Sequence, residues 1–251
     1  MTVSEFYSYL CEKIPPELTL RGDCDGMSCC PSPERNVARV LIALDVTSDV
    51  VDEAIGEECD VILAHHPMLY GGISDVCAGN FRGDKLIRLI QAGIAVMSFH
   101  TRLDAVDGGV SDTLSALIGL KNTEKFGENG ICRIGELESP VFADEFAAIV
   151  KDALGAPFVE YSDAGRQIKR VAVSGGSAGS FVKDAVASGA DAYLAGEFGY
   201  HNLCDSPDSG ISLFAAGHFY TENPVCGRLF ELTAEVGAMP IITFSNRIKS
   251  V

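Results

Sequence analysis

No uninterrupted apolar run in the 251-residue chain approaches the roughly 18 residues of a membrane span. With 47% hydrophobic and 22% charged residues, the composition is that of an ordinary folded protein, and a membrane-embedded one is excluded. Basic residues are scarce: 19 Lys and Arg stand against 35 Asp and Glu, a formal charge of −16. Such a surface repels phosphate backbones and argues against a nucleic-acid partner. The start, MTVSEFYSYLCEK, lacks a basic stretch followed by an apolar core, so it does not read as a secretory signal. The nine cysteines are odd in number and scattered through a chain too large for a disulfide scaffold. Cys24, Cys29 and Cys30 do cluster in RGDCDGMSCCPSP, but no second pair stands at zinc-ribbon spacing, so they read as reduced thiols in a loop. A reducing compartment, the cytoplasm, is the expected location.

What is present is an alternation of short apolar runs and helical patterns. Val3, Phe6, Tyr7, Leu10, Cys11 and Ile14 recur at helical spacing until Pro15 and Pro16 stop them. A Gly, Cys and Pro-rich loop follows. NVARVLIALD, DVILAH and IAVMSFH then read as buried strands, separated by helices over SDVVDEAIGEEC and GDKLIRLIQAG. After a helix over GVSDTLSALIGL, the stretch LKNTEKFGENG is the best linker, placing a boundary near residue 125. A second set of strands and helices follows, and ISLFAAGH, TENPVCGRLFELTAEVG and MPIITF return to the first unit. The predicted fold class is α/β: two lobes with mostly parallel sheets flanked by helices. Residues 1–125 plus 206–251 form one lobe, and 126–205 a second, smaller one.

The five histidines carry more information than the cysteines. His65 and His66 directly follow the apolar run VIL, His100 and Asp104 follow IAVMSF, and His218 and Glu222 follow ISLFAA. In open parallel sheets, ligands bind beyond the carboxyl ends of strands, so these clusters are expected to be neighbours. Imidazole nitrogens with carboxylate oxygens suit Zn, Fe, Mn, Co or Ni, and their number exceeds the needs of one four-coordinate ion. A two-metal site is the hypothesis. Taken singly, Asp104 would be an Asx-turn and Glu222 a first-turn helix charge with Thr221 as N-cap; the threefold recurrence outweighs those readings. His201, in GEFGYHN, reads as an ordinary loop or core histidine. The segment VSGGSAGS at 173–180 follows a strand and opens a helix, where backbone amides can cradle phosphate. It lacks the Lys of a P-loop and a full GxGxxG, so a tight turn is preferred.

In order along the chain, ALDVT, DVILAHHP, HTRLDAVDGGVSDTLSALIGL, LAGEFGYHN and AGHFYTE resemble the GTP cyclohydrolase 1 type 2 homologue family, also called NIF-three-like. The resemblance covers most of residues 37–237. It implies two divalent metal ions per chain, held by His65, His66, Asp104, His218 and Glu222, with Glu222 bridging and His100 beside the site. It also implies a metal site at strand carboxyl ends between two α/β lobes, and a toroidal homohexamer. The implied activity is that of a metal-dependent hydrolase of a small molecule such as GTP or another nucleotide, with His100 or Glu197 moving protons. The alternative is a non-catalytic, metal-containing, ring-forming binding or regulatory protein. Two departures stand out. The family's DNxGL-like segment is DCDGM here, and HTNLD is HTRLD, so Arg102 either meets an anionic substrate group or snorkels to solvent.

Overall fold

A computed structural model describes residues 1–249, which divide into two compact units, Met1–Leu103 with Cys226–Lys249, and Asp104–Val225. The first opens on helix α1 (Val3–Lys13), where Thr2 and Glu5 satisfy each other's backbone N–H groups in a capping box, and Val3, Phe6 and Leu10 turn inward. Strand β1 (Gly26–Cys29) follows, then β2 (Arg39–Ala43), helix α2 (Ser48–Gly56), β3 (Val61–Ala64), α3 (Phe81–Ala92) and β4 (Ala95–Ser98). The alternation of strand and helix forces the crossovers of a parallel sheet, and β2, β3 and β4 are parallel neighbours. Val50, Val51 and Ala54 of α2 and Leu86 and Leu89 of α3 cover one face, packing on Leu41, Ile62 and Val96. Gly93 ends α3 in the left-handed conformation that a residue with a side chain adopts only at a cost.

The N-terminal strands are completed from far along the chain. Helix α10 (Cys226–Glu235) leads into β11 (Met239–Ile242), which pairs in parallel with β2, and the sheet order is β1-β4-β3-β2-β11. The short helix α4 (Thr101–Ala105) carries the chain into the second unit. That unit runs through α5 (Val110–Leu117), β5 (Lys121–Phe126), β6 (Cys132–Val141), α6 (Ala143–Leu154) and β7 (Glu160–Ser162). It continues with β8 (Ile168–Val173), α7 (Val182–Ala187), β9 (Ala192–Ala195), α8 (Tyr200–Asp205), β10 (Ser212–Ala215) and α9 (His218–Glu222). Alternate residues of its sheet feed two cores: Val171, Val173, Leu194 and Phe214 meet Phe146 and Val150 of α6, while Ala172, Tyr193 and Leu213 meet Ala185 of α7.

The α/β class holds, with two sheets flanked by helices, but three details differ from the sequence expectation. The second sheet, ordered β5-β6-β8-β9-β10-β7, is parallel only in β8-β9-β10; its other pairings are antiparallel. The linker expected near residue 125 is edge strand β5, whose first five residues are exposed, so it has no apolar signature; its backbone pairing with β6 makes it a strand. The cysteine-bearing loop contains β1, paired antiparallel with β4. Among the described residues, no helix is long and apolar enough to cross a membrane.

Candidate metal centre

In the first unit, the parallel register sets Ala64 opposite Ser98, so the chains leaving β3 and β4 emerge side by side. His65 and His66 leave one strand, and His100 the other. Their ring centroids lie 4.8, 5.4 and 5.7 Å apart, and one ring nitrogen from each lies within 4.8 Å of the others. A polar acceptor holds each ring from behind. His65 Nδ1 meets Phe99 O at 2.8 Å, His66 Nδ1 meets Asp45 Oδ1 at 2.8 Å, and His100 Nδ1 meets the two oxygens of Asp23 at 2.8 and 2.9 Å. A carbonyl or carboxylate accepts only, so each neutral ring carries its proton on Nδ1 and its lone pair on Nε2. That is how metal-ligating histidines are oriented.

Asp23 also accepts from Thr101 N at 3.2 Å and Thr101 Oγ1 at 2.7 Å. Burial works to raise its pKa, but the hydrogen bonds from His100 and Thr101 outweigh it and hold the carboxyl well below the usual carboxylate range. Two residues further on, Asp25 answers the question left open about Arg102. The guanidinium is 1% exposed; its Nε lies 2.6 Å from Asp25 Oδ2, one Nη donates to Ile14 O at 3.2 Å, and the group lies 4.2 Å from the centroid of the Phe99 ring. Arg102 therefore neither reaches solvent nor faces a substrate. It is a buried strut under the start of α4.

The second unit gathers Asp104, His218 and Glu222. Glu222 offers an oxygen within 4.8 Å of one from Asp104, and its Oε2 lies 2.9 Å from His218 Nε2. His218 Nδ1 meets Glu197 Oε1 at 2.6 Å. A neutral imidazole has one N–H, yet here both ring nitrogens face carboxylates, an arrangement that calls for a second proton or a cation at Nε2. The turn Gly175-Gly176 lets Glu222 approach: a side chain at Gly175 would meet Glu222 Cγ at 2.8 Å, and one at Gly176 would overlap Oε1. At Gly196 a Cβ would meet His218 Cα at 2.8 Å. Close packing against α9 thus accounts for Gly175 and Gly176 of VSGGSAGS, while at Gly179 a Cβ would meet Asn202 Oδ1 of α8 at 2.7 Å. Arg133, 2% exposed, ties down the chain after Asp104 by donating to Ala105 O at 3.1 Å and Val106 O at 3.3 Å while pairing with Asp112.

Of the residues singled out from the sequence, the structure groups His65 and His66 with His100, and Asp104 and His218 with Glu222. Glu197 stands behind His218, its side chain 58% exposed. His201 lies exposed on α8 against Tyr200 and, like Cys24, Cys29 and Cys30, belongs to no donor group among the described residues. Asp23, Asp45 and Arg133 escaped sequence reasoning. Only Asp45 had a signal, as the aspartate directly beyond the apolar run of β2. Imidazoles fixed from behind and buried carboxylates suit a borderline divalent cation such as Zn, Fe, Mn, Co or Ni.

Comparison with known proteins agrees with this architecture. The family model of Duf34/NIF3 (NGG1p interacting factor 3) matches residues 1–248. The GTP cyclohydrolase 1 type 2 homolog of Clostridium perfringens is 34% identical over 209 residues, 80% of each protein. That of Streptococcus pneumoniae is 34% identical over 226 residues, 86% of this chain and 83% of the relative. The crystal structure of a Staphylococcus aureus hypothetical protein superposes with a TM-score of 0.91 at 23% identity, covering 100% of this chain and 99% of the other, which speaks to the fold alone. With its whole described length but one residue inside the family model, and curated relatives matched over most of both chains, this protein belongs to the Duf34/NIF3 family.

Proposed function

We propose that the chain is a metal-dependent hydrolase of a small molecule, holding two divalent ions through His65, His66, Asp104, His218 and Glu222, with Glu222 shared between them. The observation that carries this reading is the tie-back of His65, His66, His100 and His218 through Nδ1 to a carbonyl or carboxylate, which places the lone pair of a neutral ring on Nε2, the orientation of metal-ligating histidines. When bound, such ions supply an acidified water and polarise the bond under attack. The chain's own residues orient donors and handle protons. His100, its Nδ1 proton engaged by Asp23, presents Nε2 as a proton acceptor, while Glu197 fixes the ring of His218. GTP or another nucleotide is the first substrate to test, because the curated relatives carry the name GTP cyclohydrolase 1 type 2 homolog. Self-association into a ring-shaped homohexamer is part of the same proposal.

The test is elemental analysis of freshly purified protein, with light scattering for assembly and a hydrolysis panel of nucleotides and phosphoesters. About two ions per chain are expected. Glu222→Gln and His66→Ala should lose metal and turnover together. Metal bound without turnover on any substrate would overturn the hydrolase and leave a metal-containing binding protein; no metal after purification without chelators would overturn both.

A further inference from the structure

We propose that the cavity between the loop following His66 and the start of α3 is a binding subsite for the phosphate of a small aromatic substrate, with Arg82 as its anion receptor and Phe81 as its stacking surface. The proposal rests on the hydrolase reading above and adds to it a place for the substrate's charged end.

The cavity measures about 490 Å³, and Gly71, Gly72, Ser74, Asn80, Phe81 and Arg82 are among its lining residues. That volume falls in the range of small-molecule sites. Arg82 is placed where a cation gains little from the fold. It stands in the first turn of α3, where the helix dipole opposes a positive charge. Among the described residues no carboxylate pairs with it, whereas Arg88, further along the same helix, pairs with Asp52. Asp75 is engaged elsewhere, accepting from Ser74 Oγ and Asn80 Nδ2 at 3.0 Å each. Nη1 of Arg82 donates to Gly72 O at 3.0 Å, which clips the loop to the helix and leaves Nε and Nη2 as an open fork. Such a fork matches two oxygens of a phosphate or carboxylate.

The surroundings favour the phosphate. Lys85, one turn on, is 7% exposed and donates to Val46 O at 2.6 Å. Burial first, and then the charges of Arg82 and Arg247, hold its ammonium below the usual pKa, so this spot carries a local excess of positive charge in a chain of −16. A phosphomonoester, at about −2 near neutral pH, gains more from that excess than a carboxylate does. Phe81 supplies the apolar part. Its side chain is 68% exposed, with Arg82 and Lys85 at 5.5 and 5.9 Å from the ring centroid, and it offers an aromatic ligand a face to stack on. The position fits a substrate of the proposed hydrolase. The ring of Tyr70 stands edge-on to that of His100 at 6.3 Å, and the next residue, Gly71, already lines the cavity.

The test is equilibrium binding of guanosine monophosphate, guanosine and inorganic phosphate to the full chain, as purified and again after chelator treatment. The chelated protein separates the cavity from any phosphate held by metal. Wild type should bind the nucleotide more tightly than guanosine or phosphate in both states. Arg82→Ala should weaken the nucleotide by about 10–100-fold, the loss expected of a hydrogen bond to a charged group, and leave guanosine unchanged. Phe81→Ala should weaken nucleotide and guanosine alike by about fivefold. Both variants should keep the wild-type metal content by elemental analysis. If the alanine variant at 82 fails to fold, Arg82→Lys, which retains the charge and a donor for Gly72 O but not the fork, should show a smaller loss in the same direction. Equal nucleotide affinity in wild type and Arg82→Ala, or phosphate bound as tightly as the nucleotide, would overturn the subsite while leaving the metal centre and the hydrolase intact. Metal lost from Arg82→Ala would assign the arginine to the structure of the loop and overturn the subsite too. Nucleotide binding that depends on Arg82 in a chain without metal or turnover would support the subsite and overturn the hydrolase.

Discussion

Oε1 of Glu222 occupies the space that a side chain at Gly176 would need, and the same Cβ would stand 3.0 Å from His218 Nε2. Gly176 also has φ +58, a conformation that costs an L-residue about 1–2 kcal/mol. Gly176→Ala should therefore do two separable things: lower the melting temperature of the metal-free protein and reduce metal content. Gly155 provides the control, since its φ of 59 is matched but nothing lies within 4 Å of its Cβ position. Gly155→Ala should show a similar loss of stability and full metal content. Elemental analysis and thermal melts of both variants check this, and equal metal content in the two would refute it.

Arg102 and Asp25 should be strongly coupled. Arg102→Met leaves a carboxylate buried without its cation, a loss of about 3–5 kcal/mol, and adding Asp25→Asn should recover part of it. Urea unfolding of the two single variants and the double one measures the coupling; additive effects would contradict the buried pair.

The thiols should divide by burial. Burial pushes Cys59 up to about 11 and both Cys132 and Cys226 up to about 12. At pH 8 these three should resist a chromogenic thiol reagent in the native protein, while the exposed Cys24, Cys77 and Cys204 react. The sign of the pH effect follows. Because folding raises these pKa values, their contribution is fully present below the unfolded thiol pKa near 9 and is lost as pH rises toward 11 to 12. Stability measured by urea midpoint should fall across that alkaline window, and less so in Cys132→Ser, provided that variant folds.

Glu197 and Asp45 should act at a distance from any ion. Glu197→Gln and Asp45→Asn keep an acceptor oxygen but remove the charge behind His218 and His66, and each is expected to weaken metal binding about tenfold. Both carboxylates are largely exposed, at 58% and 46%, so the melting temperature of the metal-free protein should barely change. Competition with a chromophoric chelator gives the affinities; a loss of apo stability as large as the loss of affinity would assign them a structural role instead.

The parts of the fold legible in the sequence were those with a strong period or an apolar run. Helix α1, strands β2, β3 and β4, and the helix ending at Gly93 all announce themselves through burial. Strand β5 could not be seen, because Lys121, Asn122, Thr123, Glu124 and Lys125 are held by backbone pairing at an exposed edge and carry no hydrophobic signal. Candidate donors were visible because they recur just past strand ends. Two of their backstops were not: Asp23 lies 77 positions from His100 and Asp45 lies 21 from His66, and no local spacing links such partners. Arg102 was misread for a related reason. An arginine beside a polar motif looks solvent-facing until the fold brings Asp25 and Ile14 O to it.

The pairing of β11 with β2 dictates an order of events during synthesis. On the edge of β2 away from β3, Arg39, Val40, Leu41 and Ile42 find their partners in Met239, Pro240, Ile241 and Ile242, after all of the continuous unit Asp104–Val225 has been made. Until then the nascent chain carries an open, apolar edge on β2, the kind of backbone row that recruits stray strands. The second unit, whose strands all come from one unbroken stretch, can close while that edge still waits.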